Sequence, residues 1–329
     1  MRYIVITSIY PPSKAIEGFA TREGCKVVVA GDLKSPNDWE YPNCAFLSAK
    51  EQRQFPFRIV ERLPWNHYCR KILGYLYAIQ NGATEIMDTD DDNIPYSGHS
   101  FPPVRENFEI TKPNLGFVNV YHRYTNDKIW PRGLPLDLIA TPPEAFEPQN
   151  LSRETVDVGI WQGLADLDPD VDAIYRFTSN KTVTFNKAPP VVLAERTWCP
   201  FNSQNTLFTR RELFPLLYLP AFVTFRFTDI LRGYVAQPIL QAAGYRIGFT
   251  EATVYQERNE HNLLHDFEDE IPFYLNATRC IEIVEAAVQK GKSIQDNLRA
   301  VYGALIKEEI VPNQEMPILD AWLHDLSQL

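Results

Sequence analysis

The sequence predicts an α/β fold built on an open sheet. Three observations predict it: short apolar runs ending in polar loops, a helical stretch between two of them, and an acidic cluster set directly behind one run. The first run, Tyr3-Ile-Val-Ile-Thr, is ended by Tyr10-Pro-Pro and reads as a buried strand. A second, Cys25-Lys-Val-Val-Val-Ala, is closed by Gly31-Asp32. Between residues 67 and 82, HYCRKILGYLYAIQNG places Ile72, Leu73, Leu76 and Ile79 at helical spacing, with Asn81-Gly82 as its stop. Thr84-Glu85-Ile86-Met87 then returns to the sheet, and EIMDTDDDNIP (85–95) crowds its aspartates where that strand ends.

The middle, from about 95 to 200, is rich in proline and aromatics, with strand-like pieces such as Leu115-Gly-Phe-Val-Asn-Val. From Phe273 onward the periodicity is helical, which predicts a small C-terminal helical subdomain. With 329 residues, 45% of them hydrophobic and 22% charged, the chain has material for one large α/β unit and an appendage. A net charge of −10 argues against general nucleic-acid or anionic-membrane binding, so neither is expected as a partner. The five scattered cysteines form no C-x-x-C pair, and the first residues lack a signal peptide's apolar core. No apolar run reaches membrane-spanning length. Together these predict a cytoplasmic protein, in which the sequons at Asn150, Asn180 and Asn276 carry no meaning.

Ligands of open α/β sheets bind beyond the carboxyl ends of the strands, which is where the aspartates lie. A solvated acidic turn is the ordinary fate of a charge run. A calcium loop starting at Asp88 fails, because Asn93, Pro95 and His99 stand where Gly, a continuing loop and Glu are required. The third reading is a D-x-D motif, Asp90-Asp91-Asp92, holding Mn²⁺ or Mg²⁺ against a diphosphate. A cation there relieves the repulsion among the carboxylates.

The stretches TREGCKVVVAGDLKSPNDW, CRKILGYLYAIQNGATEIMDTDDDN, IWPRGLPL, PFNSQNTLF and FRFTDILRGYVAQPIL resemble the STELLO family of glycosyltransferases. More distantly they are similar to the reversibly glycosylated polypeptides, the UDP-arabinopyranose mutases. The resemblance implies a GT-A-like, Rossmann-related nucleotide-sugar-binding sheet over 1–270, divided into a nucleotide-binding half (1–95) and an acceptor-side half (96–270). Residues 271–329 are the helical appendage. It also implies Asp90 and Asp92 as metal or ribose ligands, with Asp91 beside them. Arg132, in Trp130-Pro-Arg-Gly, matches the arginine of the mutases' V-R-G-Y-P. Asp229, in Arg226-Phe-Thr-Asp, falls where GT-A enzymes keep an acceptor-side carboxylate. A metal-ligating His of the relatives is replaced here by Gln256, so Gln256 or His261 is the candidate for the further ligand.

The residues themselves suggest further roles. Thr7, Ser8 and Tyr10 end the first strand, and Asp32 and Lys34 end the second, so they are expected at base, ribose or phosphate. Arg70 and Lys71 open a helix, where a cation is disfavoured unless it serves an anion, which makes them donor-binding candidates. Asp229, flanked by Arg226 and Arg232, is either the base for an attacking hydroxyl or half of a structural ion pair. Asp166, Asp168 and Asp172 form a second acidic loop, and Asn202 and Asn205 precede an apolar pair. They are read as sugar contacts or as turn formers.

The expected function is metal-dependent transfer of a sugar from a nucleotide sugar, with UDP the expected nucleotide, to a glycan or other hydroxyl-bearing acceptor. The alternatives are a nucleotide-sugar mutase glycosylated reversibly on Arg132, and a non-catalytic nucleotide-sugar-binding scaffold. The sequence leaves sugar, acceptor, stereochemistry and oligomeric state open.

Overall fold

In the first strand, β1 (Arg2–Thr7), side chains alternate between two apolar cores: Tyr3 and Val5 join the larger, Ile4 and Ile6 the smaller. A strand buried on both faces needs cover on both sides, which is why its sequence is an unbroken apolar run. Helix α1 (Lys14–Ala20), capped by Ser13, supplies Ile16 and Phe19 to the smaller core. Strands β2 (Cys25–Ala30) and β3 (Cys44–Leu47) follow, then a one-turn helix, α2 (Ala49–Gln52). Helix α3 (Lys71–Gln80) covers the other face of β1 with Ile72, Leu73, Leu76 and Ile79. A Cβ on Gly74 would lie 2.6 Å from a Val5 methyl, so glycine lets α3 lie directly on β1. The chain then re-enters the sheet as β4 (Glu85–Thr89). The computed structural model describes residues 1–179, 181–257 and 262–329.

These four strands are parallel, in the order β3-β2-β1-β4. The chain leaves β1 outward to β2 and β3 and returns to the opposite side of β1, so the strand order reverses between β1 and β4. In doubly wound sheets that switch point opens a crevice at the carboxyl edge. Here the crevice lies between Thr7-Ser8 and the aspartates.

The second half adds β5 (Asn93–Pro95), β6 (Arg105–Ile110), β7 (Gly116–Phe117), β8 (Ser152–Asp166), β9 (Val191–Val192), β10 (Thr197–Trp198), β11 (Asn205–Phe208) and β12 (Arg246–Gln256). Strand β11 runs antiparallel to both β4 and β8, and β12 lies parallel to β8, so the sheet is mixed. Pairing of β5 with the end of β12 sets Gln256 opposite Asn93, immediately after the aspartates. Of the expected strand at 115–120 only Gly116–Phe117 pairs as a strand. Asn119 there caps a 3₁₀ turn instead. Helix α4 (Ala173–Thr178), capped by Asp172, and helix α5 (Thr228–Ala242) complete this half.

Helices α6 (Leu263–Ala287), α7 (Ile294–Lys307) and α8 (Glu315–Leu326) end the chain. Asn262 caps α6 well before Phe273, so this helix runs through the expected 270/271 boundary. Phe273, Ile281, Leu305 and Trp322 from these helices belong to the same core as α3 and α5. No described helix is long and apolar enough to cross a membrane.

Candidate active site

A cleft of about 410 Å³ opens at the carboxyl edge of β1 and β4. That volume suits a small-molecule ligand. Its lining unites many of the residues singled out from sequence: Thr7, Ser8, Tyr10, Asp32 and Lys34 on one side, Asp90, Asp91 and Asp92 at the base, and Arg132, Asn202, Arg226, Asp229 and Gln256 on the other.

The aspartates are held in three different ways. Asp88, fully buried, is pinned between Lys71 Nζ at 2.6 Å and Arg232 Nη1 at 2.5 Å. Asp90 accepts from Lys71 Nζ at 3.0 Å and from the Tyr68 hydroxyl at 2.6 Å. Asp91 and Asp92 have neutral partners. The Ser8 hydroxyl donates to Asp91 at 2.5 Å, and Gln256 Nε2 donates to Asp92 at 2.8 Å. Four carboxylates thus share two cations, Lys71 and Arg232, among the described residues. Burial pushes the Asp91 carboxyl up to about 6, with the Ser8 bond opposing it. Burial, then the neighbouring Asp90 charge, takes Asp92 up to about 7. No ready-made cage of three His, Cys, Asp or Glu ligands exists among the described residues. Two ionisable carboxylates without a cation are nonetheless a donor set suited to a hard divalent ion.

The opposite wall is arranged in another manner. Arg132 sits on the loop leading into Gly133, whose φ of +90° and 2.6 Å approach of a notional Cβ to Ile230 allow that loop to abut α5. Its Nε and Nη2 donate to Asp170 at 2.7 and 2.9 Å. Its Nη1 and Nη2 donate to Asp229 at 3.1 and 2.9 Å, and Nη1 also reaches the Arg226 carbonyl. All five N–H groups of the guanidinium are therefore taken, and none remains for a diphosphate. Asp229 in turn accepts from the backbone N–H groups of Ser203 and Ile230, which fills both its oxygens. Asp170 accepts from Arg132 and from Asn202 Nδ2 at 2.6 Å. Burial raises its pKa, but the charges of Arg132 and Arg226 and these hydrogen bonds outweigh burial and hold it below the ordinary carboxylate value.

Several expected contacts lie elsewhere. Arg70 is buried under the Trp65 ring, giving its Nε and Nη2 to Gln52 and its Nη1 to the Val60 and Leu63 carbonyls. Lys71 lies beneath the acidic cluster as its counter-charge, and burial, its largest influence, is overcome by Asp88 and Asp90 so that its pKa is raised. Arg232 does the same for Asp88 from α5. Asp166 accepts from the Phe185 N–H and the Tyr96 hydroxyl, and Asp168 pairs with Arg176. Asn205 bonds the Leu164 carbonyl and Thr253 within the sheet. None of these six side chains lines the cleft. His261 falls outside the described residues.

The cleft also contains groups not singled out from sequence, among them His67, Tyr68, Asp170, Arg176, Gln204 and Phe225. Asp170 stands in the acidic loop already noted, but four aspartates alternate there and spacing alone does not choose among them. His67 and Tyr68 stand just before Cys69 and the Arg-Lys pair that drew attention instead. His67 accepts the Cys69 N–H through Nδ1, and burial, against the nearby Asp32, lowers its pKa.

A family model described as STELLO glycosyltransferases matches residues 226–329, from the cleft wall through α8. Two Arabidopsis thaliana proteins, "Probable glycosyltransferase STELLO1" and "Probable glycosyltransferase STELLO2", are each 27% identical over 99% of this chain. The chain spans 44% of the length of either relative. It matches the STELLO family, as the five sequence stretches implied.

Proposed function

We propose, for a chain that matches the STELLO family, that the cleft binds a nucleotide sugar with a divalent cation and transfers the sugar to an acceptor hydroxyl. The observation that carries this reading is the deficit of positive charge among Asp88, Asp90, Asp91 and Asp92 at the switch point of the sheet. We take the 3-2-1-4 parallel half, continued by an antiparallel β11, as a GT-A-like sheet.

Asp90 and Asp92, with Asp91 beside them, would hold Mn²⁺ or Mg²⁺, and Gln256 already touches Asp92. The ion supplies charge neutralisation for a leaving diphosphate. Lys34 lines the cleft with no ion pair among the described residues and is assigned to the phosphates. Asp32 keeps one oxygen on the Leu33 N–H and the other on the His67 N–H, with acceptor capacity left on each for ribose or base. Thr7, Ser8 and Tyr10 border the same space. In the transfer, the bond from the anomeric carbon to the diphosphate breaks with its electrons leaving on the nucleoside diphosphate. A bond to the acceptor oxygen forms, and the hydroxyl proton passes to a carboxylate.

Asp229 was expected to take that proton, but its oxygens are filled by Arg132, Ser203 and Ile230. We assign Asp229 and Arg132 the task of fixing the wall, and assign the hydroxyl contact to Asp170, which has an open lone pair. The same closed guanidinium argues against a mutase glycosylated on Arg132, since an always-charged group with every N–H engaged is a poor nucleophile.

Calorimetry of UDP with Mg²⁺, with and without EDTA, on wild type and Asp92→Ala tests the reading. Binding is expected only for wild type with the cation. Equal affinity in all four titrations would sink it.

A further inference from the structure

The lip of the cleft exposes large apolar rings on a firmly held turn. Phe225 is 52% and Phe222 43% exposed. Yet the buried Glu315 carboxylate of α8 accepts the N–H groups of Ala221 and Phe222 at 3.0 and 2.9 Å. Arg226 pairs with the fully buried Glu270 of α6 at 2.7 Å, and the Thr224 hydroxyl donates to the Asp269 carbonyl. The rings are therefore exposed on an anchored scaffold. Folding gains little from apolar surface left in water, whereas a preorganised ring lowers the entropic cost of binding.

The surroundings of Phe225 indicate the ligand. Its ring lines the cleft and meets Tyr68 edge-on, with centroids 5.6 Å apart. Arg226 spends Nε and Nη2 on Glu270 and the Val171 carbonyl, leaving Nη1 without a partner among the described residues. Among the described residues Asp170 Oδ1 accepts only from Arg132 Nε, which leaves one lone pair open. The pair is close enough for the Arg226 charge to lower the Asp170 pKa. An open donor and an open acceptor beside an aromatic face match a sugar ring, which has a C–H face and hydroxyls that both give and take hydrogen bonds.

We propose that Phe225, Arg226 and Asp170 form the acceptor subsite and that the acceptor is a saccharide, its C–H face on Phe225 and one hydroxyl between Arg226 Nη1 and Asp170 Oδ1. This rests on the glycosyl-transfer reading only for calling the sugar the acceptor. Saturation-transfer NMR with methyl glucosides, galactosides, xylosides and arabinosides, and with octyl glucoside, tests it on protein loaded with UDP and Mg²⁺. At least one methyl glycoside should receive saturation through protons of one ring face. Phe225→Ala should weaken it about tenfold, the scale of a lost aromatic contact. Phe225→Trp should retain it, and UDP affinity measured separately should stay within about twofold, as the proposal puts the ring on the acceptor and not on the donor. If no methyl glycoside binds while UDP does, or if Phe225→Ala binds as wild type does, the subsite is wrong and the donor reading stands. Saturation confined to the octyl chain overturns the saccharide in favour of an apolar acceptor. Glycoside binding without any UDP binding leaves the subsite and removes the donor reading.

Discussion

Two sets of aspartates line one cleft in opposite states. On the wall that carries Arg132, Asp170 and Asp229 share a guanidinium whose five donors are all used. At the end of β4, Asp91 and Asp92 lean on Ser8 and Gln256, and their carboxyls rise to about 6 and 7. The residue type is the same, and what differs is the supply of positive charge. A wall with balanced charge can set geometry without help. A cluster with excess negative charge has room for something cationic, and on the proposed reading that asymmetry puts the donor diphosphate on the β4 side.

The largest effect is expected beneath the end of β4. Lys71 Nζ lies 2.6 Å from Asp88 and 3.0 Å from Asp90, inside the core. Lys71→Met keeps the volume and removes the charge, leaving buried carboxylates short of a partner. The cost should be about 3–5 kcal/mol by urea denaturation. Magnesium should stabilise this variant more than wild type, because the cluster has gained another unpaired charge. A variant as stable as wild type would mean that Asp88 or Asp90 is already protonated, and the charge deficit would disappear with it.

On the balanced side, Arg132→Lys should cost about 2 kcal/mol, since an ammonium cannot grip two carboxylates in bidentate fashion. Thermal denaturation measures this. Intact mass spectrometry of wild type after incubation with a panel of nucleotide sugars should find no adduct. A pentose or hexose mapped to Arg132 would require the network to open, and would restore the mutase reading.

The contrast between the two sets was only half legible in the sequence. The apolar runs, the helix stop at Asn81-Gly82 and the placement of Asp90–Asp92 behind a strand follow from local periodicity, and the structure places them there. The partners of each charge do not follow. Arg70 and Lys71 are adjacent at the start of α3, yet one lies on Trp65 and the other under Asp90. Helical rotation separates neighbours by about 100°, so which of the two serves the site depends on tertiary packing. Arg132, Asp170 and Asp229 come from three distant segments and meet only through folding. Phe225 was not singled out, because exposure is not written in its local sequence.

The smallest effect separates the two sets by titration. An ordinary aspartate loses its proton near 3.8, whereas burial raises Asp91 to about 6 and burial with Asp90 raises Asp92 to about 7. Between those values the folded chain holds more protons than the unfolded one, so without a cation stability should fall as pH rises from about 4 to 7. Both carboxylates are partly open to water, and screening reduces the change to the order of 1 kcal/mol. A divalent ion binds the ionised forms, so its stabilising effect should grow as pH rises through the same window and flatten the slope. Melting temperatures at pH 5, 6, 7 and 8, in EDTA and in Mg²⁺, measure both. Asp92→Asn should remove most of the slope and most of the response to Mg²⁺. Asp170→Asn should leave both as in wild type, because Asp170, held below the ordinary value, is ionised throughout the window. If the two variants respond alike, the charge deficit is not localised at the end of β4, and the metal has been assigned to the wrong wall.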